Sequence, residues 1–251
     1  MYEGEKNEQF PGDIIMAELL YKRILLKISG ESLQGKQGHG YDPEAVADTA
    51  ARIRAVRETG VQVALVVGGG NLWRGAAASE MDRVTADHMG MLATVMNALR
   101  LKDALKKQGV TAHVHASSDL RPFAPRFERD EALAQLDRGE IVIFAGGTGA
   151  PFFTTDTTAA LRALETGCNA VVKATKVDGI YTADPMKDPA AVKYDRITFA
   201  KALGDRLKIM DSAAFSLCMD NGLHIIVCRF TEPDALVKIL HGDFSAGTIV
   251  S

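Results

Sequence analysis

Short, almost wholly apolar runs recur along this chain, and most lead into a segment with helical periodicity. That alternation limits the fold more than any other feature. "YKRILLKIS" (21–29), "VQVALVV" (61–67), "VTAHVHA" (110–116), "EIVIFA" (140–145), "NAVVKAT" (169–175) and "LHIIVC" (223–228) read as strands. Runs with so little polar alternation suit a sheet covered on both faces. "DPEAVADTAARIRAVRETG" (42–60) reads as a helix with Asp42 as N-cap, Pro43 at the first helical position and Gly60 just past the end. "TADHMGMLATVMNALRLKDALKKQG" (85–109) reads as a long helix, with Met89, Leu92, Val95, Leu99 and Leu105 near helical spacing. Further helices are expected over "ERDEALAQLDRG", 155–166 and 232–241. The pattern predicts an α/β fold, a three-layer α/β/α sandwich with a mainly parallel central sheet. No repeat or low-complexity linker interrupts residues 21–251, which read as one domain behind a flexible N-terminal tail of residues 1–20.

In such a sheet, ligands bind beyond the carboxyl ends of the strands. The glycine-rich stretches fall there: "SGESLQGKQGHG" after the first strand, "GGGNLWRG" after the second, and "GGTGAPFFTTD" after the strand ending at Ala145. Glycine lets backbone amides approach an anion closely, and a following helix N-terminus adds positive potential. A single loop of this kind is usually just a tight turn; three on one rim point to a phosphate-binding edge.

Two familiar motifs come close and fail. "GESLQGKQ" (30–37) approaches the phosphate loop, but Gln37 stands where a hydroxyl should hold magnesium, and the helix begins only after Asp42. "GGGNLW" carries Trp73 at the third glycine of the dinucleotide fingerprint. Charge and composition exclude other classes. With Lys+Arg 29 against Asp+Glu 32, a net charge of -3 and 6% aromatic residues, nothing indicates a nucleic-acid surface or a base-stacking platform. No apolar run approaches the ~20 residues of a membrane span. The acidic first twenty residues lack the basic start of a secretory signal. A cytoplasmic protein is expected, with Cys168, Cys218 and Cys228 as reduced core thiols.

Lys27 interrupts an otherwise apolar strand near its carboxyl end, where a lysine is costly unless an anion pairs with it. Arg74 projects over the same rim, and Asp156 sits in the first turn of its helix among Thr154, Thr155 and Thr157, whose hydroxyls can donate to a phosphate or a base. His113 and His115 share a strand face without an evident third metal ligand, so no metal-ligating residue is assigned. For Asp87, beside His88 at a helix start, capping is the plain local reading.

"KRILLKISGESLQG", "VVGGGNLWRG", "DHMGMLATVMNAL", "GTGAPFFTTD", "KATKVDGIYTADP" and "IMDSAAFSL" occur in an order and spacing that resembles the bacterial-type uridylate kinases, a branch of the amino acid kinase family. The resemblance runs from about Tyr21 to the C-terminus and implies the amino acid kinase fold. It implies transfer of the γ-phosphoryl group of ATP to UMP, with Mg2+ carried by ATP. By motif, Lys27, Arg74 and Asp156 are implied as the catalytic set. Lys27, Ser29, Gly30, Gly70, Arg74, Thr175, Tyr181 and Asp184 are implied for ATP. Gly69, Asp87, Thr148, Gly149, Ala150, Pro151, Phe152, Phe153, Thr154 and Thr155 are implied for UMP, with Asp87 accepting from the ribose hydroxyls. Asp156 is expected to organise Lys27 or magnesium-bound water, with Asp211 as a second candidate. Where the family commonly has Gly-Asn-Pro, this chain has Gly149-Ala150-Pro151, so uracil recognition is expected to rest on backbone and Thr148. A homohexamer is implied, as are GTP and UTP as nucleotide effectors, with "GKQGHG" (35–40) in the region linked to that response.

Overall fold

The computed structural model describes residues 19–73, 80–183, 185, 187–232 and 234–251. In chain order they form β1 (Arg23–Ile28), α1 (Pro43–Glu58), β2 (Gln62–Val67), α2 (Arg83–Lys107), β3 (Ala112–Ala116) and α3 (Arg129–Asp137). Then come β4 (Ile141–Ala145), α4 (Thr155–Glu165), β5 (Ala170–Ala174), β6 (Ile180–Tyr181), β7 (Lys193–Tyr194) and β8 (Arg196–Ile197). The C-terminal part holds α5 (Phe199–Gly204), α6 (Ser212–Asp220), β9 (His224–Cys228), α7 (Ala235–Leu240) and β10 (Gly247–Val250).

Eight strands form one sheet in the order β3-β4-β2-β1-β5-β9-β10-β8, and β6 and β7 make a separate hairpin. Within the eight-stranded sheet, pairing is parallel except where β10 runs antiparallel to β9. The period of two along β1 sorts its side chains into two cores. Ile24, Leu26 and Ile28 pack with Ile53 of α1, Leu101 of α2 and Leu236 of α7. Leu25 packs on the other face with Leu136 of α3, Ala160 of α4 and Cys218 of α6. Helices therefore cover both faces, the three-layer arrangement the strand–helix alternation predicts. The glycine-rich segments leave β1, β2 and β4, which are immediate neighbours in the order β4-β2-β1, so all three exits open on one rim.

The structure corrects several local expectations. Helix α2 begins at Arg83, not Thr85, because Asp82 is the N-cap and accepts from the Thr85 amide at 3.0 Å. Asp87, one turn further on, does not cap it. The face of α2 toward the sheet carries Ala93, Val95, Ala98, Leu101 and Leu105, whereas Met89, Leu92 and Met96 are exposed. Small residues face inward because α2 packs closely on the exit of β2: a Cβ added to Gly69 would meet Ala93 Cβ and Gly90 O, each at 2.9 Å. The expected helix at 232–241 is confined to Ala235–Leu240. Helices α5 and α6 and the buried strand β10 had no sequence signal long enough to assign. The three cysteines are buried and unbridged, and burial pushes the Cys168 thiol up to about 11 and Cys228 to about 12. No helix among the described residues is long and apolar enough to cross a membrane.

Candidate active site

β1 is a central strand, so Lys27 has no edge from which to reach solvent. Its register partner on β5 is another lysine, Lys173, on the same face of the sheet. Two cations side by side on a covered sheet require a counter-charge, and α4 supplies it. Thr154 caps α4 by accepting from the Asp156 amide at 3.0 Å, which places Asp156 in the first turn directly over the two strands. Lys27 Nζ lies 2.9 Å from Asp156 Oδ1, and Lys173 Nζ donates to Asp156 Oδ2 at 2.7 Å and to the carbonyl of Ile209 at 2.7 Å. Burial alone would raise the Asp156 pKa, but the charges of Lys27 and Lys173 outweigh it and hold the carboxyl below the usual value. Lys173 was missed in the sequence, although "NAVVKAT" carries the same signal that marked Lys27: a lysine near the end of an apolar strand.

Asp211 does not reach the lysines. It caps α6 by accepting from the Ala214 amide at 2.8 Å, and it also accepts from the hydroxyls of Thr154 and Thr157. Its effect is to fix the first turn of α4, and so Asp156, against α6.

A cavity of about 590 Å³ on one side of this cluster is lined by Lys173, Thr175, Val177, Gly179, Tyr181, Lys208 and Ile209, among others. Of the ATP residues implied by motif, Thr175 and Tyr181 line it, while Arg74 and Asp184 lie outside the described residues. Ser29 accepts from the Glu31 amide at 3.3 Å and starts a 3-10 turn rather than pointing into the cavity. Gly30 is a packing position. A Cβ there would meet Asn71 Oδ1 and Gly68 O at 2.5 Å, because the exits of β1 and β2 touch at this point. Asn97, fully buried on α2, donates to Gly68 O at 2.6 Å and to Asn71 Oδ1 at 2.7 Å and locks that junction.

On the other side, a cavity of about 300 Å³ is lined by Gly69, Trp73, Arg83, Asp87, Met91, Thr94, Thr148, Ala150, Phe153, Thr154 and Thr155, among others. Most of the expected UMP residues come together here; Gly149, Pro151 and Phe152 stand outside its lining. The loop 146–154 that forms one wall turns through Gly146, Gly147 and Gly149, all at positive φ, a conformation that costs a residue with a Cβ about 1 kcal/mol or more. Thr148 exchanges hydrogen bonds with the backbone of Ala150 and so shapes that turn. α2 holds the loop at two points: the Gly146 amide donates to Thr94 Oγ1 at 2.8 Å, and the Phe152 amide donates to Asp87 Oδ2 at 2.8 Å. The Phe152 amide, and then Arg83, hold the Asp87 carboxyl below its ordinary pKa.

The histidines form no site with these groups. His113 pairs with Glu140 at 3.0 Å and His115 with Gln135 at 2.8 Å. Among the described residues, no group of three or more His, Cys, Asp and Glu side chains is arranged to hold a metal. What remains is one rim with two cavities, one lined by Lys173 of the lysine–carboxylate–lysine cluster and the other by Thr154 and Thr155 next to Asp156, an arrangement able to bring two anionic ligands together.

Residues 22–229 match the amino acid kinase family. The chain is 49% identical over 237 residues to the uridylate kinase of Xanthomonas axonopodis pv. citri, covering 94% of this chain and 98% of that protein. The crystal structure of UMP kinase from Bacillus anthracis superposes with a TM-score of 0.89 at 35% identity, covering 92% of this chain and 96% of that one. For UMP kinase from Ureaplasma parvum the TM-score is 0.86 at 37% identity, with 92% and 98% covered.

Proposed function

The chain belongs to the amino acid kinase family, and from that membership we propose that it phosphorylates UMP to UDP with ATP. The observation that carries this reading is the ion-paired cluster of Lys27, Asp156 and Lys173, with Lys173 lining one cavity and Thr154 and Thr155, next to Asp156, lining the other. Uridylate kinase relatives at this identity, and UMP kinase structures with the same fold, support UMP as the acceptor.

Phosphoryl transfer asks for in-line positioning of the two reactants and for charge to be offset as it moves, with little covalent help from the protein. In this reading ATP lies along Thr175 and Tyr181, and UMP lies against Asp87, Thr148, Thr154 and Thr155. Lys27 and Lys173 face the transferring group. Asp156 holds both ammonium groups at fixed positions, so little reorganisation is needed when the charge shifts. The attacking UMP phosphate is already ionised near neutral pH, so no residue has to remove a proton. Arg74, outside the described residues, is proposed as a further cation on the phosphates, and Asp184 as a border of the ATP site. Gly30, Gly69 and Gly70 are proposed to bring backbone close to the phosphates.

Both oxygens of Asp156 are engaged by lysines, so the residues present would hold a magnesium ion carried by ATP only indirectly, with Asp156 reaching it through water. When bound, it neutralises charge on the β- and γ-phosphates. The same reading brings pyrimidine nucleotide synthesis in the cytoplasm, GTP and UTP as effectors, and a homohexamer, to which the exposed Met89, Leu92 and Met96 offer apolar surface.

The deciding experiment offers UMP, CMP, carbamate and acetylglutamate in turn with ATP and follows ADP release. UMP-dependent release well above the others is expected. Preference for carbamate or acetylglutamate would move the chain to another branch of the family, and binding of nucleotides without ADP formation would favour a storage role.

A further inference from the structure

Two residues at the rim of the proposed UMP cavity, Arg83 and Phe152, run against their local preferences, and both meet the carboxylate of a third, Asp87. Arg83 is the first residue of α2, where the partial positive charge of the helix N-terminus disfavours a cation. Its partner Asp87 lies four residues further on, the weaker orientation for such a pair. Phe152 has φ 70, a left-handed conformation that a residue with a Cβ adopts at a cost of roughly 1–3 kcal/mol. Its ring is also 66% exposed. Local physics favours none of these choices.

Their contacts account for them. Arg83 Nε donates to both oxygens of Asp87, at 3.0 and 2.9 Å. The left-handed turn at Phe152 aims its amide at Asp87 Oδ2, 2.8 Å away. The Arg83 guanidinium carbon lies 5.5 Å from the centre of the Phe152 ring, within cation–π range. Asp87 and Thr94 stand seven residues, two helical turns, apart on one face of α2 and grip the two ends of the loop 146–154. The Thr94 grip is buried. The Asp87 grip stands at the mouth, and Arg83 holds both oxygens of its carboxylate.

We propose that Arg83 is a positioning residue for UMP: by fixing the Asp87 carboxylate and covering Phe152, it assembles the loop wall of the cavity before the nucleotide enters. The inference rests on the reading of this cavity as the UMP site. Preorganisation lowers the ordering cost of binding, so its loss shows in affinity for UMP and not in the transfer step.

The test measures KM and kcat for both nucleotides in Arg83→Ala, Arg83→Lys, Asp87→Asn and the Arg83→Ala/Asp87→Asn double variant, with UMP binding followed by calorimetry. Arg83→Ala is expected to raise KM for UMP roughly 10-fold, the scale of a lost charged hydrogen bond. KM for ATP should stay within about twofold, which also shows that the variant is folded. The double variant should be little worse than Asp87→Asn, because both changes act through the same carboxylate. Arg83→Lys should recover only part of the loss, since an ammonium cannot reproduce the planar fork and ring contact. Full recovery by lysine would mean that charge alone suffices and would overturn the proposal, as would additive effects or an unchanged KM for UMP in Arg83→Ala. If the wild-type protein fails to turn over UMP, the functional reading falls and takes this inference with it; if it succeeds, the variants judge Arg83 alone.

Discussion

Lys27 and Lys173 are register partners on adjacent parallel strands, and a single carboxylate, Asp156, takes one lysine on each oxygen. Removing Asp156 leaves both lysines without their carboxylate, and removing either lysine leaves Asp156 with one cation in place of two. The cluster is therefore both the proposed centre of phosphoryl transfer and a sensitive point of the fold.

Lys27→Ala and Asp156→Asn should each lower turnover by roughly 100-fold or more, the scale on which preorganised charge contributes to catalysis. A coupled assay of UDP formation measures it. Near-normal turnover in either purified variant would remove that residue from the mechanism.

Lys173→Met is expected to cost roughly 10- to 100-fold in turnover while keeping a similar volume at the site. With Lys173 gone, Lys27 alone faces Asp156, and the link to the Ile209 carbonyl is lost. If KM for ATP changes and kcat does not, Lys173 serves only as a wall of the cavity proposed for ATP.

The depressed Asp156 pKa makes stability depend on pH in a defined direction. Burial raises the pKa, and Lys27 and Lys173 more than reverse that, so the folded value lies below the ordinary aspartate value. The ionised carboxylate therefore contributes its full stabilisation above that value and loses it as pH falls through the lower folded pKa. Thermal melts of wild type and Asp156→Asn should differ most above pH 4 and converge below it. A gap that widens on acidification would contradict the assignment.

Gly30→Ala should destabilise the protein by about 1–3 kcal/mol, as overpacking at a tight junction does. The added methyl would meet Asn71 Oδ1 and the Gly68 carbonyl, both held in place by Asn97. Chemical denaturation reads the loss, and KM for ATP should rise with it because the β1 exit is displaced.

Asp87→Ala removes the acceptor of the Phe152 amide and the proposed acceptor of the ribose hydroxyls. Its main effect is expected on UMP affinity, with KM for UMP raised by roughly 10-fold or more. An unchanged half-saturating UMP concentration would show that neither contact matters.

The layers, the parallel sheet and the rim were legible because their causes are local. An apolar run of strand length, a proline just inside a helix start and a glycine at positive φ act through residues a few positions apart, so the pattern survives in the linear sequence. Lys27 stood out for the same reason: a charge inside an apolar strand is anomalous wherever the strand lies. Other features depended on neighbours brought from far along the chain. Whether Leu92 faced the core could not be read from spacing, because the inward face of α2 is set by how closely Gly69 lets it approach. The pairing of Lys27 with Lys173 follows from the β1–β5 register, and Asp211 reaches Thr154 and Thr157 only because α6 packs beside α4. Torsional preference and periodicity are short-range, so the order of residues was enough to set which elements form and where glycine opens an edge. Which charges meet came from packing, because electrostatic contact depends on separation in space and packing sets that separation.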